Sequence, residues 1–121
     1  MRGENLFDII FYRLPNGKQP VREFLDSLDI KMRVSALDEL KLLEEFGNQL
    51  KSPHSKPIGD GLFELRIKFS SNISRIFYFF QSGKKIVVTN GFVKKTNKTP
   101  PGEIEKAKKY KTDYEKRKTD E

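Results

Sequence analysis

The sequence predicts an α+β fold in which a small antiparallel sheet packs against an N-terminal helical hairpin and is followed by a C-terminal helix. Three patterns support this fold class. Residues 62–98 contain three apolar-alternating runs separated by two tight turns, which is typical of a three-strand meander. Residues 20–46 repeat apolar side chains at helical spacing. A β-branched and aromatic run at residues 6–12 predicts a fourth strand at one edge of the meander.

The meander is predicted to consist of strands at Leu62 to Phe69, at Ile73 to Phe80 and from Lys85 to about Phe92. In the first strand the odd positions are apolar and the even positions are charged, so one face is dry. The charged even positions are Glu64, Arg66 and Lys68. The second strand has a single charge, Arg75, among aromatic residues. Ser82-Gly83 suits the second turn, because glycine accepts a positive φ there.

The register of the first hairpin decides where Arg75 points. If Ser71-Asn72 is a two-residue loop, Lys68 pairs with Arg75, and Arg66 lies on the same face. A slip of one residue would bury the Arg75 guanidinium unpaired among apolar side chains, which is strongly unfavourable. The second turn then places Asn90 opposite Arg75. We therefore expect polar and cationic groups to converge on one face of the sheet.

Three lysines, Lys94, Lys95 and Lys98, directly follow the meander. Together with the charges on the sheet they predict a surface that attracts an anion. The alternative is a solvated face with Glu64 as its counter-ion, and that alternative is sufficient for Lys68 alone. Anion binding is the better interpretation of Arg75, because this residue lies among aromatic side chains.

Two helices are predicted to cover the dry face of the sheet. The first begins at Pro20, whose missing N–H costs nothing at the first helical position, and it has an apolar stripe over residues 21–28. Ser27 or Asp29 caps the second helix, and Gly47 ends it. The inner row of the second helix is Met32, Ala36, Leu40 and Leu43, beside Val34, Leu37 and Phe46. Its outer side is expected only to be solvated by Asp38, Glu39, Glu44 and Glu45.

Residues 49–61 contain several prolines and glycines and are predicted to form an irregular segment. This segment includes His54, the only histidine in the chain. A general-base role is conceivable for a lone histidine, but we expect an inert surface residue here. Lys56 is the stronger candidate for binding, because the segment delivers it to the start of the charged strand.

A final helix is predicted after the meander. Thr99 suits its N-cap and Pro100 its first position, with Glu103 in the first turns. The apolar stripe of this helix is weak and is surrounded by lysines, so we expect it to dock loosely on the sheet. It is expected to fray from about Arg117. Its N-terminus would add amide donors to any phosphate site beside it.

The composition restricts the classes of function. The chain has 24 Lys plus Arg against 17 Asp plus Glu, a net charge of +7 and a pI of about 9.6, which favours a partner such as nucleic acid, an acidic protein or a membrane surface. We expect a single domain over residues 1–121, located in the cytoplasm and without a membrane partner, because no apolar run is long enough to span a bilayer. Cysteine is absent and no metal-ligand spacing occurs, so neither a metal nor another cofactor is expected.

Nearly the whole chain, from Phe7 to about Tyr114, resembles the RelE/ParE toxin superfamily, and specifically its phage-related HigB-like branch. The resemblance rests on the order of the elements and on two motifs, Gly61-Leu62-Phe63-Glu64-Leu65-Arg66 and Gly91-Phe92-Val93-Lys94-Lys95-Thr96. Arg75 in Ser74-Arg75-Ile76 matches the arginine on the family's middle strand.

The resemblance implies the toxin of a type II toxin–antitoxin pair. Such a toxin is a ribosome-dependent endoribonuclease that cleaves mRNA, and a HigA-like helix-turn-helix antitoxin neutralises it in a complex expected to be a heterotetramer. The basic positions that match the family's active site, and are expected to be catalytic, are Arg66, Arg75, Lys94 and Lys95. The expected RNA contacts are Lys56, Lys68, Asn90, Phe92 and Lys98. Many relatives have a histidine where this chain has Asn90. With asparagine at this position, the resemblance implies that the site acts more by stabilising charge than by transferring a proton.

A ribonuclease without a metal uses the 2′-hydroxyl of its substrate as the nucleophile, and the planar guanidinium of Arg75 suits the charge of the resulting phosphorane. A second hypothesis is a ParE-like toxin that inhibits DNA gyrase without cutting RNA. The convergent cations favour the nuclease, since a gyrase inhibitor has no need of them. A third hypothesis is a simple nucleic-acid-binding module, for which basic charge alone would suffice.

Overall fold

The computed structural model of the protein describes residues 6–120. The elements, in chain order, are strand β1 (Asp8–Phe11), helix α1 (Pro20–Ser27), helix α2 (Ile30–Phe46), a 3₁₀ turn (Gly47–Gln49), strands β2 (Ser55–Gly59), β3 (Leu62–Phe69), β4 (Asn72–Gln81) and β5 (Lys85–Lys94), and helix α3 (Pro101–Asp120). The predicted α+β class is confirmed, with α1 and α2 on one face of the sheet and α3 on the other. No helix in this part of the chain is long and apolar enough to cross a membrane.

The sheet has five strands in the order β1-β5-β4-β3-β2. β1 occupies one edge, as predicted, but it runs parallel to β5, whereas all other neighbours are antiparallel. One strand of the sheet, β2, was not predicted. It lies within residues 49–61, the segment that was predicted to be irregular, so that prediction is wrong. Pro57 sits in this strand, which is possible because β2 is at the edge of the sheet and one side of it needs no backbone donor.

The helical hairpin packs on the dry face of the sheet, as predicted. Asp29 is the N-cap of α2 and accepts a hydrogen bond from the Met32 N–H at 2.9 Å, and Gly47 ends the helix. The close approach of α1 to the sheet requires Gly91, because a Cβ there would collide with the ring of Phe24. The predicted inner row of α2 is buried, but its three apolar neighbours, Val34, Leu37 and Phe46, are exposed.

Helix α3 packs firmly on the other face, which corrects the prediction of loose docking. Ala107 is fully buried, the ring of Tyr110 stacks on Tyr12 with 4.6 Å between centroids, and Tyr114 meets the edge of Phe79 at 5.8 Å. The helix continues past Arg117, where fraying was expected, and the Arg117 guanidinium lies over the Tyr12 ring.

The first turn of α3 also differs from the prediction. The helix begins at Pro101 rather than Pro100. The Thr99 hydroxyl does not act as its cap but donates to a Glu64 carboxylate oxygen at 3.1 Å. Asn90 of β5 donates to the backbone and side-chain oxygens of Glu103 and so ties this turn to the sheet. Because α3 starts beside Glu64 and Asn90, it leaves uncovered the end of the sheet where β3 turns into β4.

Candidate functional site

The sheet register brings most of the predicted cations into two adjacent rows on the face shared with α3. In one row Arg66, Arg75 and Phe92 are direct cross-strand neighbours. In the next row the neighbours are Lys68, Ile73 and Lys94. Directly paired residues point to the same face of a sheet. The predicted clustering of Arg66, Lys68 and Arg75 on one face is therefore confirmed, although their pairing is not the predicted one.

The predicted pairs of Arg75 are wrong by two residues on each side. Its partner on β3 is Arg66 rather than Lys68, because the first turn consists of residues 70–71 with Ser70 at φ +57°. Its partner on β5 is Phe92 rather than Asn90, because the second turn is one residue longer and β5 has an irregularity before Gly91. A shift of two preserves the side-chain face. For this reason the cations still converge.

A buried glutamate holds the two arginines together. The Glu64 side chain is 2% exposed, and its Oε1 lies 3.0 Å from Arg75 Nε and 3.6 Å from Arg66 Nε. Two like charges directly opposite each other would repel, so the shared carboxylate makes this row of the sheet possible. The cluster thus contains an internal counter-ion. Glu64, the counter-ion of the alternative interpretation, therefore pairs with both arginines.

Two of the three guanidinium nitrogens of Arg75 have hydrogen-bond partners within residues 6–120. Its Nε donates to Glu64 and its Nη1 donates to the Ser74 carbonyl at 3.1 Å, while no partner for Nη2 occurs among residues 6–120. Burial lowers the pKa of Arg75, and the Glu64 charge opposes that shift. An arginine remains protonated at neutral pH even so. Its remaining N–H groups are therefore available to a phosphate oxygen.

These side chains border a cavity of about 320 Å³, which we call the arginine pocket. Its lining residues are Glu39, Pro53, His54, Arg66, Lys68, Ile73 and Arg75. Three of them are cations from β3 and β4, and they come from the two rows described above. A pocket lined by three cations, near the end of the sheet that α3 leaves uncovered, is suited to an anionic ligand.

The arginine pocket also contains a histidine–glutamate pair that the sequence interpretation missed. His54 Nδ1 lies 2.9 Å from Glu39 Oε1, and the His54 carbonyl accepts a hydrogen bond from the Arg66 N–H at 2.8 Å. The His54 side chain is 41% exposed and that of Glu39 is 18% exposed. The carboxylate favours the tautomer with a proton on Nδ1, so the lone pair of Nε2 is free. Glu39 is therefore not merely a solvating residue of α2.

The other predicted site residues are spread more widely. Asn90 is buried and is committed to Glu103 and to the Thr89 hydroxyl, which donates to it at 2.7 Å. Phe92 is also buried, with its ring 5.3 Å from that of Phe77. Lys94 lies in the second of these rows, opposite Ile73, and is partly exposed. Three exposed lysines lie further out, Lys56 on β2 and Lys95 and Lys98 in the segment that leads to α3.

No group of three or more His, Asp or Glu side chains within residues 6–120 could hold a metal ion.

A family model described as "Phage derived protein Gp49-like (DUF891)" matches residues 23–112 of the chain. The matched range begins in α1 and ends in α3, and it includes every residue of the arginine pocket. No curated protein matches the chain.

Proposed function

The chain belongs to the Gp49-like family of phage-derived proteins, and from this membership and the arginine pocket we propose that it is a toxin that cleaves mRNA. The family is one of toxin–antitoxin toxins related to RelE. The observation that carries the nuclease proposal is the convergence of Arg66, Lys68 and Arg75 on the pocket that also contains the His54–Glu39 pair.

The proposed reaction needs no metal, because the substrate supplies its own nucleophile. The 2′-oxygen attacks the adjacent phosphorus, and the resulting phosphorane carries additional negative charge. The free N–H groups of Arg75, with Arg66 beside it, are placed to donate to the phosphate oxygens. The bond from phosphorus to the 5′-oxygen then breaks, which leaves a 2′,3′-cyclic phosphate and a 5′-hydroxyl.

Proton transfer is assigned to His54, which was expected from the sequence to be an inert surface residue. The neutral Nε2 accepts the proton of the 2′-hydroxyl as the 2′-oxygen attacks, and Glu39 holds the imidazole in the tautomer that permits this. Lys68, which lines the same pocket, gives a proton to the departing 5′-oxygen. Asn90 and Phe92 are left out of the proposed RNA contacts, because both are buried.

The proposed partners follow from the family and the charge. A HigA-like helix-turn-helix antitoxin would neutralise the toxin in a heterotetramer. The ribosome would present the mRNA, and such positioning can supply a large part of a rate enhancement. The net charge of +7, the exposed Lys95 and Lys98 and the partly exposed Lys94 favour a polyanionic partner of this kind.

Induction of the chain in bacteria tests the proposal. Growth is expected to stop, primer extension is expected to find new mRNA ends within translated regions, and co-expression of the neighbouring antitoxin is expected to prevent both effects. An Arg75→Ala chain at equal abundance is the matched control. Accumulation of cleaved gyrase–DNA complexes with intact mRNA would overturn the nuclease proposal in favour of a ParE-like gyrase inhibitor.

A further inference from the structure

A second and larger cavity, of about 490 Å³, lies at the free edge of the sheet beside β2. We call it the edge pocket. Its lining residues are Asn48, Leu50, Lys51, Ser52, Ser55, Lys56, Pro57, Phe63 and Arg66. Arg66 lines this pocket and also the arginine pocket, so one side chain separates the two cavities. The two cavities therefore adjoin at Arg66.

The charged residues that line the edge pocket favour an anionic ligand. Three cations line it, Lys51, Lys56 and Arg66, and its lining includes no carboxylate. Neither lysine forms an ion pair with any residue in the described range 6–120. The Nε of Arg66 is buried and has no hydrogen-bond partner in that range, although Glu64 lies 3.6 Å away.

The remaining wall has the character of a base-binding surface. Leu50 and the half-buried ring of Phe63 form an apolar side, and the Phe63 ring is fixed by stacking on Tyr78 at 5.5 Å between centroids. Asn48 and Ser52 are exposed polar residues whose side chains make no hydrogen bond within the described chain. An amide that is free to donate and accept can read the edge of an unpaired base.

From these features we propose that the edge pocket binds the nucleotide next to the cleaved bond of single-stranded RNA. Lys51 and Lys56 hold its phosphate, the side of Leu50 and Phe63 contacts the base, and Asn48 bonds to the base edge. This inference rests on the proposed nuclease function for the identity of the ligand. It adds a second subsite to the arginine pocket and gives the toxin a sequence preference of its own.

The test measures binding without cleavage. A short RNA with a 2′-O-methyl group at every position cannot be cut, and its affinity is followed by fluorescence anisotropy over a range of salt concentrations. The variant Lys51→Gln/Lys56→Gln is expected to bind about tenfold more weakly, with a salt slope shallower by about 0.7 for each phosphate that the protein no longer neutralises. The control Lys109→Gln/Lys118→Gln removes the same charge from exposed positions of α3 and is expected to change affinity less than about twofold.

A set of RNAs with one abasic position each tests the base contact. In the parent chain one abasic position weakens binding, and in Asn48→Ala the same position weakens binding less, since the hydrogen bond to the base edge is already lost while the contacts with Leu50 and Phe63 remain. Equal weakening by both lysine pairs, or an abasic effect that Asn48→Ala does not alter, would overturn the edge-pocket proposal. Failure of the parent chain to cleave any mRNA would instead count against the proposed function, because these binding measurements do not depend on cleavage.

Discussion

Replacement of Arg75 by alanine is expected to impair both cleavage and stability, and the two effects can be separated through Glu64. Removal of the guanidinium takes away the group that is proposed to donate to the developing phosphorane charge. By analogy with the loss of one such donor, the rate is expected to fall roughly 10²–10³-fold. Among residues 6–120, the same substitution leaves the Glu64 carboxylate, which is 2% exposed, with only the more distant Arg66 and the Thr99 hydroxyl.

The stability loss follows from this uncompensated charge. Removing one partner of a buried ion pair typically destabilises a protein by about 3–5 kcal/mol. For a domain of this length, each kcal/mol lowers the melting temperature by about 3–5 °C, so a decrease of about 9–25 °C is expected for Arg75→Ala. The double variant Glu64→Gln/Arg75→Ala removes the buried charge as well. It is expected to recover much of the stability and none of the activity.

Single-turnover cleavage on programmed ribosomes, together with thermal unfolding of each variant, distinguishes the two roles. Arg75→Lys is expected to restore charge but only part of the rate, because a point charge cannot reproduce the planar fork. If the double variant is stable and cleaves as fast as the parent chain, Arg75 has no catalytic role. If Arg75→Ala melts at the same temperature as the parent chain, the ion pair between Arg75 and Glu64 does not stabilise the folded protein.

Three further outcomes are expected. His54→Ala is expected to lose roughly 10²–10⁴ in rate, because the group that accepts the proton of the 2′-hydroxyl is removed; a variant that cleaves as fast as the parent chain would exclude His54 as the base. Cleavage is expected to survive chelation when the ribosome is kept intact and to leave a 2′,3′-cyclic phosphate, so a 5′-phosphate product would contradict the mechanism. Burial and the hydrogen bond to Asp113 raise the pKa of Tyr12 from 10.0 to about 12, so the stability from this group is complete below pH 10 and is lost as the pH rises through about 12. Denaturation measured from pH 9 to 12 checks this, with a flatter pH dependence expected for Tyr12→Phe and equal curves counting against it.

Local patterns in the sequence were sufficient for much of the fold. The alternation in β3 gives its bounds, Pro20 marks the start of α1, and Gly47 marks the end of α2. Each signal depends on the backbone preference of one residue or on a short period, and neither needs tertiary information. The face of Arg75 was also predictable, because burying an unpaired guanidinium excluded the other face.

Features that depend on distant residues were not predictable. β2 contains Pro57 and lacks a period of two, and it is a strand only because the edge of β3 is available to it. The stacking of Tyr110 on Tyr12 joins residues 98 positions apart, so the weak stripe of α3 gave no sign of its firm docking. His54 and Glu39 likewise belong to different elements. The one available signal was that a lone histidine precedes the charged strand.

The Glu64 arrangement gives a reason to regard the arginine row as a functional feature rather than a stabilising one. A buried ion pair can often be replaced by apolar residues without loss of stability, and the neighbouring rings of Phe77 and Phe92 show that this face of the sheet accepts such side chains. A structural role alone therefore does not require Arg75. The geometry instead fixes Nε on a carboxylate and leaves Nη2 without a partner among residues 6–120, in a side chain that lines the pocket. A guanidinium that is oriented before the substrate arrives needs little reorganisation during the reaction, and this is the property that stabilises a transition state most effectively.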